Sequence, residues 1–348
     1  MSTSRFCVSF AVNVENTYKH YQAAHCESGV TSNLLRGAGL PVSEAMAFGI
    51  GSGIFFTHIP FVKVMGLPLT SYRSMPGGIF KKTCKRLGVA YEYRTFRDPL
   101  KGRRALDELA ERGQAVGVRS NIFWLPYIPE QFRFQFNAHN LVVYGRDAAG
   151  EYQVSDPVME NVALCPHQAM GKARFSKGVL APKGLIFFPR ATTAAHLVEE
   201  RLQEAVRLGV RETVNSMNSP VFFAGVRGIR YLSRKVRQWP TQHKAETVKL
   251  YLANVVRMQE EIGTGGAGFR LLYAAFLQEA GEKLNQPALL KASRDLTDAG
   301  NVWREFATLS AKFCKDRLHE PYEKIPDLLL DIAAREKAVF SVLRRNYL

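Results

Sequence analysis

The segment HYQAAHCESGVTSNLLRGAGL, residues 20–40, decides how the first part of this chain folds. Val30, Leu34 and Leu35 recur at the spacing of one helical face, and the glycines that follow are typical of a helix end. Cys26 therefore lies at or just before the N-terminus of a helix. Free backbone N–H groups and the positive end of the helix dipole favour a thiolate there, and the same groups can bind an oxyanion.

The five cysteines of the chain are an odd number at wide spacings, without a C-x-x-C pair. This pattern argues against a disulfide framework and against a structural zinc site, and it favours a reducing, cytoplasmic environment. We therefore expect no metal site. A buried packing residue is the alternative interpretation of Cys26 and the expectation for the other four thiols, Cys7, Cys84, Cys165 and Cys314.

Residues 138–157, AHNLVVYGRDAAGEYQVSDP, predict a β-hairpin with its centre near residue 148. That register brings His139 close to Asp156 across the two strands, with opposed β carbons roughly 4.5–5.5 Å apart. A carboxylate there can hold one ring nitrogen and leave the other free as a base. A lone strand histidine is commonly structural, but His139, Asp156 and Cys26 together form a Cys-His-Asp constellation.

The character of the sequence changes near residue 190. Before it, short β-like runs alternate with glycine and proline, whereas after it long helical patterns cover residues 194–215, 244–262 and 324–345. A length of 348 residues suits two domains. We predict an α+β fold in residues 1–190, followed by an all-helical domain in residues 191–348.

Neither apolar stretch of the chain predicts a membrane segment. Residues 6–14, FCVSFAVNV, imitate a signal peptide, but Asn13 interrupts them and no small-residue cleavage pattern follows, so they are interpreted as a strand. Residues 45–57 form the longest apolar run, which carries three glycines and falls short of the roughly 18 residues that a span needs. We expect no transmembrane helix.

Several motifs resemble those of a known family: HCES at residues 25–28, LPVSEAMAFGIGSG at 40–53, WLPY at 124–127 and GTGGAGFRLLYAAFLQEA at 263–280. They are similar to the butirosin biosynthesis protein H family. The order of cysteine, histidine and Asp-Pro also resembles the papain-like cysteine-peptidase clan, especially its double-glycine leader peptidase branch. The resemblance implies a papain-like N-terminal domain followed by a companion helical domain.

The resemblance also implies an acyltransferase that moves an acyl group from an acyl-carrier-protein thioester to a small amine acceptor in natural-product biosynthesis. Carried over, Cys26 is the nucleophile, His139 the general base and then acid, and Asp156 the orienting carboxylate. The phosphopantetheine arm of the carrier would deliver the acyl group, with no bound cofactor. A cysteine hydrolase (peptidase, amidase or thioesterase) with the same triad is the alternative, and a binding protein with a relic triad is a third hypothesis.

The neighbours of Cys26 depart from the papain-like pattern, which usually places an oxyanion-binding glutamine about six residues before the cysteine. His20 stands there, and Gln22 is the nearest glutamine and the candidate oxyanion donor beside the backbone N–H of Cys26. Glu27 should raise the pKa of the neighbouring thiol. Further along, Ser43 predicts a helix cap and Glu44 a charge that stabilises the helix dipole. The glycines in residues 49–53 are expected to let backbone pass close to the active-site helix or to a pantetheine arm.

The net charge is 47 − 31 = +16, which implies an anionic partner: nucleic acid, a membrane surface or an acidic protein. No helix-turn-helix, zinc finger or RNP-like strand is recognisable, so nucleic acid is disfavoured. A helical stripe at +3, +4, +3 spacing predicts a docking surface for an acidic carrier protein, formed by Arg227, Arg230, Arg234 and Arg237. A second basic cluster comprises Lys81, Lys82, Lys85, Arg86, Arg94, Arg97, Lys101, Arg103 and Arg104. Peripheral membrane contact and a homo-oligomer are left open.

The glycine-rich segment in residues 263–268 precedes a helix and lacks the Gly-Lys-Ser/Thr ending of a P-loop. Flexible N–H groups at a helix start can bind an anion. Gly265, Gly266 and Arg270 are therefore candidates for binding the acceptor or an anion, and a plain helix–helix connection is the alternative.

Overall fold

A computed structural model describes residues 18–64, 66–190 and 195–347. The strand predicted in residues 6–14, together with Cys7, lies outside the described residues. The chain is mixed α+β, with a sheet region first and a helical region after it, which confirms the predicted class.

The first half alternates helices and strands along the chain. Its helices are α1 (Cys26–Gly37), α2 (Glu44–Ile50), α3 (Ile79–Leu87), α4 (Pro99–Glu111) and α5 (His167–Arg174). Its strands are β1 (Ile54–Val64), β2 (Leu67–Arg73), β3 (Tyr91–Arg94), β4 (Val116–Ser120), β5 (His139–Arg146), β6 (Tyr152–Ser155), β7 (Ala163–Cys165) and β8 (Ile186–Pro189).

The second half is built from long helices, as its sequence pattern predicts. They are α6 (Ala195–Met217), α7 (Gly225–Gln242), α8 (Ala245–Glu260), α9 (Arg270–Lys283), α10 (Pro287–Cys314) and α11 (Lys324–Tyr347). In the described parts of the chain, no helix has both the length and the apolar character that a membrane span requires.

The local sequence explains where several helices begin and end. At the start of α2 the Ser43 hydroxyl accepts a hydrogen bond from the Met46 N–H at 3.0 Å, as predicted. Asp98 caps α4 in the same way, accepting from the Leu100 N–H at 2.8 Å immediately before a proline. Gly88 ends α3 with a φ of 71°, the left-handed conformation that glycine adopts without strain.

Six antiparallel strands form the main sheet, in the order β3-β8-β4-β5-β6-β7. The predicted hairpin is the β5–β6 pair, with Arg146 opposite Tyr152 and Val142 opposite Ser155. The pair of Arg146 and Tyr152 puts the hairpin centre at residue 149, one residue after the predicted position, and an irregularity between Val143 and Gly145 then shifts the register by one residue. Helix α1 packs against β5, so the element that begins with Cys26 contacts the strand that begins with His139.

One hydrophobic core joins the two halves of the chain. It includes Phe48 and Phe56 from the first half and Phe276 and Trp303 from the second. The two-stranded sheet β1–β2 packs against α7 and α8, so it belongs spatially to the helical half. A side chain at Gly49 would collide with the Phe276 ring, so this glycine serves packing between α2 and α9, not passage of a pantetheine arm. The domain boundary near residue 190 stays a prediction.

Candidate active site

Cys26 is the first residue of α1, and the structure places it beside the predicted histidine. His25 caps the helix through its ring Nδ1, which lies 3.3 Å from the Ser28 N–H and 2.9 Å from the Ser28 hydroxyl. The Cys26 side chain is only 8% exposed, so little water reaches the sulfur. As the first helical residue, Cys26 has a backbone N–H without an acceptor inside the helix.

His139 opens strand β5, and Asp156 follows directly after β6. The imidazole Nε2 and the Asp156 Oδ2 are 2.6 Å apart, and both side chains are buried. The Tyr127 hydroxyl donates to the same carboxylate oxygen at 2.9 Å, while the Val158 N–H donates to Oδ1 at 3.2 Å. The carboxylate is thus fixed from three sides, and it in turn orients the histidine.

A close approach between α1 and the segment after β6 holds the cysteine against this pair. A β carbon at Gly29 would lie 2.7 Å from the Pro157 side chain, which is closer than real β carbons come. The Ala23 N–H donates to the Pro157 carbonyl at 2.7 Å just ahead of the helix. A residue with a β carbon at position 29 would not fit between α1 and Pro157. Glycine therefore allows the segments that carry Cys26 and Asp156 to be in direct contact.

The electrostatic environment favours a thiolate–imidazolium pair. Burial raises the pKa of the Cys26 thiol. The hydrogen bond and the positive charge of His139 lower it, and the Asn140 backbone and Arg73 lower it further, so that the thiol pKa is below its ordinary value overall. Burial lowers the pKa of His139, whereas the charge and hydrogen bond of Asp156 and the contact with Cys26 raise it to about 10. Both pKa shifts favour the state in which the imidazole holds the proton and the sulfur is a thiolate.

Glu27 does not act on Cys26 as the sequence predicts. Its buried carboxylate pairs with the Arg73 guanidinium and accepts from the backbone N–H groups of Gly77 at 3.0 Å and Ile79 at 2.9 Å. Burial raises the pKa of Glu27, but Arg73 and these N–H donors lower it overall, so the carboxylate stays charged. The Arg73 charge offsets that carboxylate and contributes to the lowered pKa of the thiol.

Glu44 holds the segment that leads into the nucleophile, a role that the sequence does not reveal. Its carboxylate accepts from the Ala24 N–H at 2.9 Å, from the His25 N–H at 2.8 Å and from the Ser28 hydroxyl at 3.1 Å. Glu44 lies in the first turn of α2, where the sequence predicts a charge that stabilises the helix dipole, and it also contacts the segment before α1. Glu44 fixes the backbone of the two residues before Cys26.

The amide that lies at the sulfur is that of Asn140, not that of Gln22. Asn140 is buried and its Nδ2 lies 3.9 Å from the Cys26 Sγ. Gln22 is exposed, and the His20 ring lies 2.7 Å from the Ser155 hydroxyl. The structure thus places the Asn140 amide, next to His139 in the chain, at the sulfur, and the oxyanion role of Gln22 stays a prediction.

Arg270 is a structural residue, which corrects the prediction that it binds a ligand. It is fully buried, and its Nε and NH2 atoms donate to Glu336 at 2.8 and 3.1 Å. Its NH1 donates to the Gly268 carbonyl at 2.8 Å, and the Trp303 indole N–H donates to Glu336 at 2.7 Å. A guanidinium that is fully buried and bonded in this way is not presented to an acceptor molecule.

The glycine-rich loop is likewise occupied by the protein itself. The Ala267 N–H donates to Glu260 at 3.1 Å, and the Gly266 N–H donates to the Thr264 hydroxyl at 3.0 Å. An internal carboxylate thus occupies part of the predicted anion site, which corrects the prediction for Gly266. Gly265 is exposed and a β carbon there would lie 3.1 Å from that of Ala24, so the loop borders the catalytic segment.

The predicted arginine stripe lies on the exposed face of α7, but two of its members are engaged locally. Arg237 pairs with Asp327 of α11, and the Arg227 guanidinium donates to the Pro220 carbonyl at 2.9 Å. Arg230 is exposed, and Arg234 lies over the Tyr231 ring at 5.8 Å. Among the described residues, no group of three His, Cys, Asp or Glu side chains is placed to hold a metal ion.

Two family models match the chain. A model described as "Butirosin biosynthesis protein H, N-terminal" matches residues 25–157, which contain the cysteine, the histidine and the aspartate described above. A model described as "Domain of unknown function (DUF4872)" matches residues 168–343, half of the chain. No curated protein matches.

Proposed function

Because the chain belongs to the butirosin biosynthesis protein H-like family, we propose that it is a cysteine-dependent acyltransferase of natural-product biosynthesis. In this proposal the donor is an acyl-carrier-protein thioester and the acceptor is a small amine. The observation that carries it is the buried pair of Cys26 and His139, in which the thiol pKa is lowered and the imidazole pKa is raised. Such a pair supplies the thiolate that acyl transfer from a thioester needs.

In the first step the Cys26 thiolate attacks the thioester carbonyl and forms a tetrahedral adduct. In this proposal the Cys26 N–H and the Asn140 amide donate to the developing oxyanion, and the 3.9 Å distance from Asn140 Nδ2 to Cys26 Sγ supports the role of the amide. The adduct collapses by breaking the carbon–sulfur bond to the pantetheine arm, whose thiolate takes the proton from the His139 imidazolium. The products are acyl-Cys26, a neutral imidazole and the free carrier thiol.

In the second step the acceptor amine attacks the acyl-Cys26 carbonyl. The neutral His139 removes the proton from the amine nitrogen, and Cys26 departs as a thiolate, so the ion pair is restored. Asp156 holds the imidazole in the required orientation through Nε2 throughout. Burial of the sulfur favours transfer over hydrolysis because it limits the access of water.

The product distinguishes this proposal from a hydrolase with the same triad. The protein is incubated with an acyl carrier protein, with and without a panel of amines, and the amide and the free acid are measured by mass spectrometry. We expect amide formation that requires both Cys26 and the amine, with Cys26→Ala as the control. Release of free acid at a rate that no amine affects, with no amide, would favour the hydrolase and contradict the transferase.

A further inference from the structure

A pocket on the β3–β8–β4 side of the main sheet has the chemistry of an anion site. It has a volume of about 310 Å³, and its polar lining includes Tyr93, Arg119 and Lys183. Lys81 stands over the Tyr93 ring at 4.7 Å, so a further positive charge lies close to this lining residue. In the described parts of the chain, neither Arg119 nor Lys183 takes part in an ion pair with a carboxylate.

Arg119 carries a donor that the protein leaves unused. Its Nε is buried and has no hydrogen-bond partner among the described residues. Its guanidinium lies against Gly77, beside the Tyr93 hydroxyl. The Arg119 guanidinium lines the pocket, and charge-assisted hydrogen bonds from an arginine suit a phosphate group.

The loop that closes the pocket adopts a strained backbone. Leu180 and Lys183 both line the pocket, and both have positive φ angles, 57° and 52°, which side-chain-bearing residues rarely adopt. Such strain persists where the surrounding structure fixes it, and it is concentrated at binding sites. Here the strained backbone holds Lys183 at the pocket, and Arg119 lines the same pocket from strand β4.

The pocket adjoins the catalytic centre. Arg119 pairs with Asn140 across strands β4 and β5, and the Asn140 amide lies 3.9 Å from the Cys26 Sγ. The backbone of Gly77, against which Arg119 packs, donates to Glu27, the residue after Cys26. Arg119 therefore has two neighbours, Asn140 and Gly77, that contact Cys26 and Glu27.

From this arrangement we infer that the pocket of Tyr93, Arg119 and Lys183 binds a phosphate group of a substrate. The pantetheine arm of a carrier protein bears such a phosphate, and its assignment to the donor rests on the proposed function. A phosphorylated acceptor would present the same chemistry. The phosphate contact itself requires neither assignment.

The test is calorimetric binding to the full-length Cys26→Ala protein, which excludes covalent reaction at the thiol. The probes are inorganic phosphate, 4′-phosphopantetheine and pantetheine, which lacks the phosphate. We expect 4′-phosphopantetheine to bind on the order of tenfold more tightly than pantetheine, because charge-assisted hydrogen bonds to the phosphate are lost in the latter. Lys183→Gln and Arg119→Gln should each remove most of this difference, whereas Lys337→Gln, at an exposed site on α11, should not.

The three probes also separate the two sources of the phosphate. Tighter binding of 4′-phosphopantetheine than of inorganic phosphate supports the pocket and assigns it to the donor. If 4′-phosphopantetheine and inorganic phosphate bind equally well, and Lys183→Gln abolishes the binding of both, the pocket is supported and is assigned to another phosphorylated substrate. The inference is overturned if pantetheine and 4′-phosphopantetheine bind alike and inorganic phosphate does not bind. None of these outcomes depends on acyl transfer, so a failure here is distinct from a failure of the proposed reaction.

Discussion

Cys26 and His139 titrate as a pair, and alkylation of the sulfur reports on that pair. Since the thiol pKa is lowered, Cys26 should react with iodoacetamide at pH values below the ordinary thiol pKa. In His139→Ala the contribution of the histidine is lost, while burial, which raises the thiol pKa, and the weaker contacts remain. The pH profile of alkylation should therefore move to higher pH by at least about one unit, so that Cys26 reacts roughly tenfold more slowly at neutral pH. Peptide mass mapping of the alkylated protein measures the rate at each thiol.

Cys84 is the internal control for this experiment. Burial raises its pKa to about 12, so it should remain unmodified over the same pH range. An unchanged Cys26 profile in His139→Ala would show that the histidine does not stabilise the thiolate.

The proximity of Cys26, His139 and Asp156 could be predicted from the sequence, whereas the contacts that surround them could not. Cys26, His139 and Asp156 follow from a helix start and a hairpin, which are local patterns. Glu44 and Tyr127 reach these groups from other elements, through contacts that no spacing encodes. For the same reason the sequence pointed to Gln22, a neighbour along the chain, and not to Asn140, whose amide lies at the sulfur in the fold.

At the level of single elements, helix α7 carries the charge that we assign to carrier-protein docking. Arg230 and Arg234 are exposed on one face of the helix, while Arg237 is paired with Asp327. Reversing both charges in Arg230→Glu plus Arg234→Glu should weaken the binding of an acidic carrier protein on the order of tenfold and flatten its salt dependence. Affinity measured from low to high salt gives both quantities.

A matched double variant tests whether position matters or only net charge. Lys337 and Arg344 are exposed on α11, and Lys337→Glu plus Arg344→Glu removes the same total charge. We expect this variant to keep most of its affinity. If the two double variants weaken binding equally, the docking surface is not on α7.

Elements with strong periodicity were predictable nearly to the residue. The pattern in residues 324–345 predicts α11, which spans Lys324–Tyr347, and the pattern in residues 244–262 predicts α8, which spans Ala245–Glu260. The β5–β6 register differs from the predicted one because Arg146 pairs with Tyr152 at the turn, which puts the hairpin centre one residue later than predicted. The glycines in residues 49–53 do not indicate in the sequence that Phe276 of α9 packs against Gly49.

For the whole molecule, the buried ion pair of Arg270 and Glu336 connects helices at the centre of the shared core. Arg270→Met should lower the free energy of unfolding by about 3–5 kcal/mol, because it leaves the Glu336 carboxylate buried without its counter-charge. Arg207→Met breaks an exposed pair with Glu204 and should cost less than about 1 kcal/mol. Urea unfolding of the two variants measures the difference, and equal small losses would contradict a structural role for Arg270.

The assembly of the two halves was beyond sequence reasoning. A change of composition near residue 190 indicates two kinds of secondary structure, but it does not say that Phe56 and Trp303 would pack in one core. The same applies to β1–β2, which lies early in the chain and packs with the late helices. Contacts between distant segments depend on shape complementarity, which a local pattern does not contain.

The central claim is that Cys26 carries the acyl group between donor and acceptor. Its most direct test is the intact mass of the protein after brief incubation with an acyl carrier protein in the absence of amine. We predict a mass increase equal to one acyl group, located on the peptide that contains Cys26, absent in Cys26→Ala and discharged when an acceptor amine is added. A protein that turns over the acyl carrier protein with no adduct on Cys26, or with equal activity in Cys26→Ala, would contradict the claim.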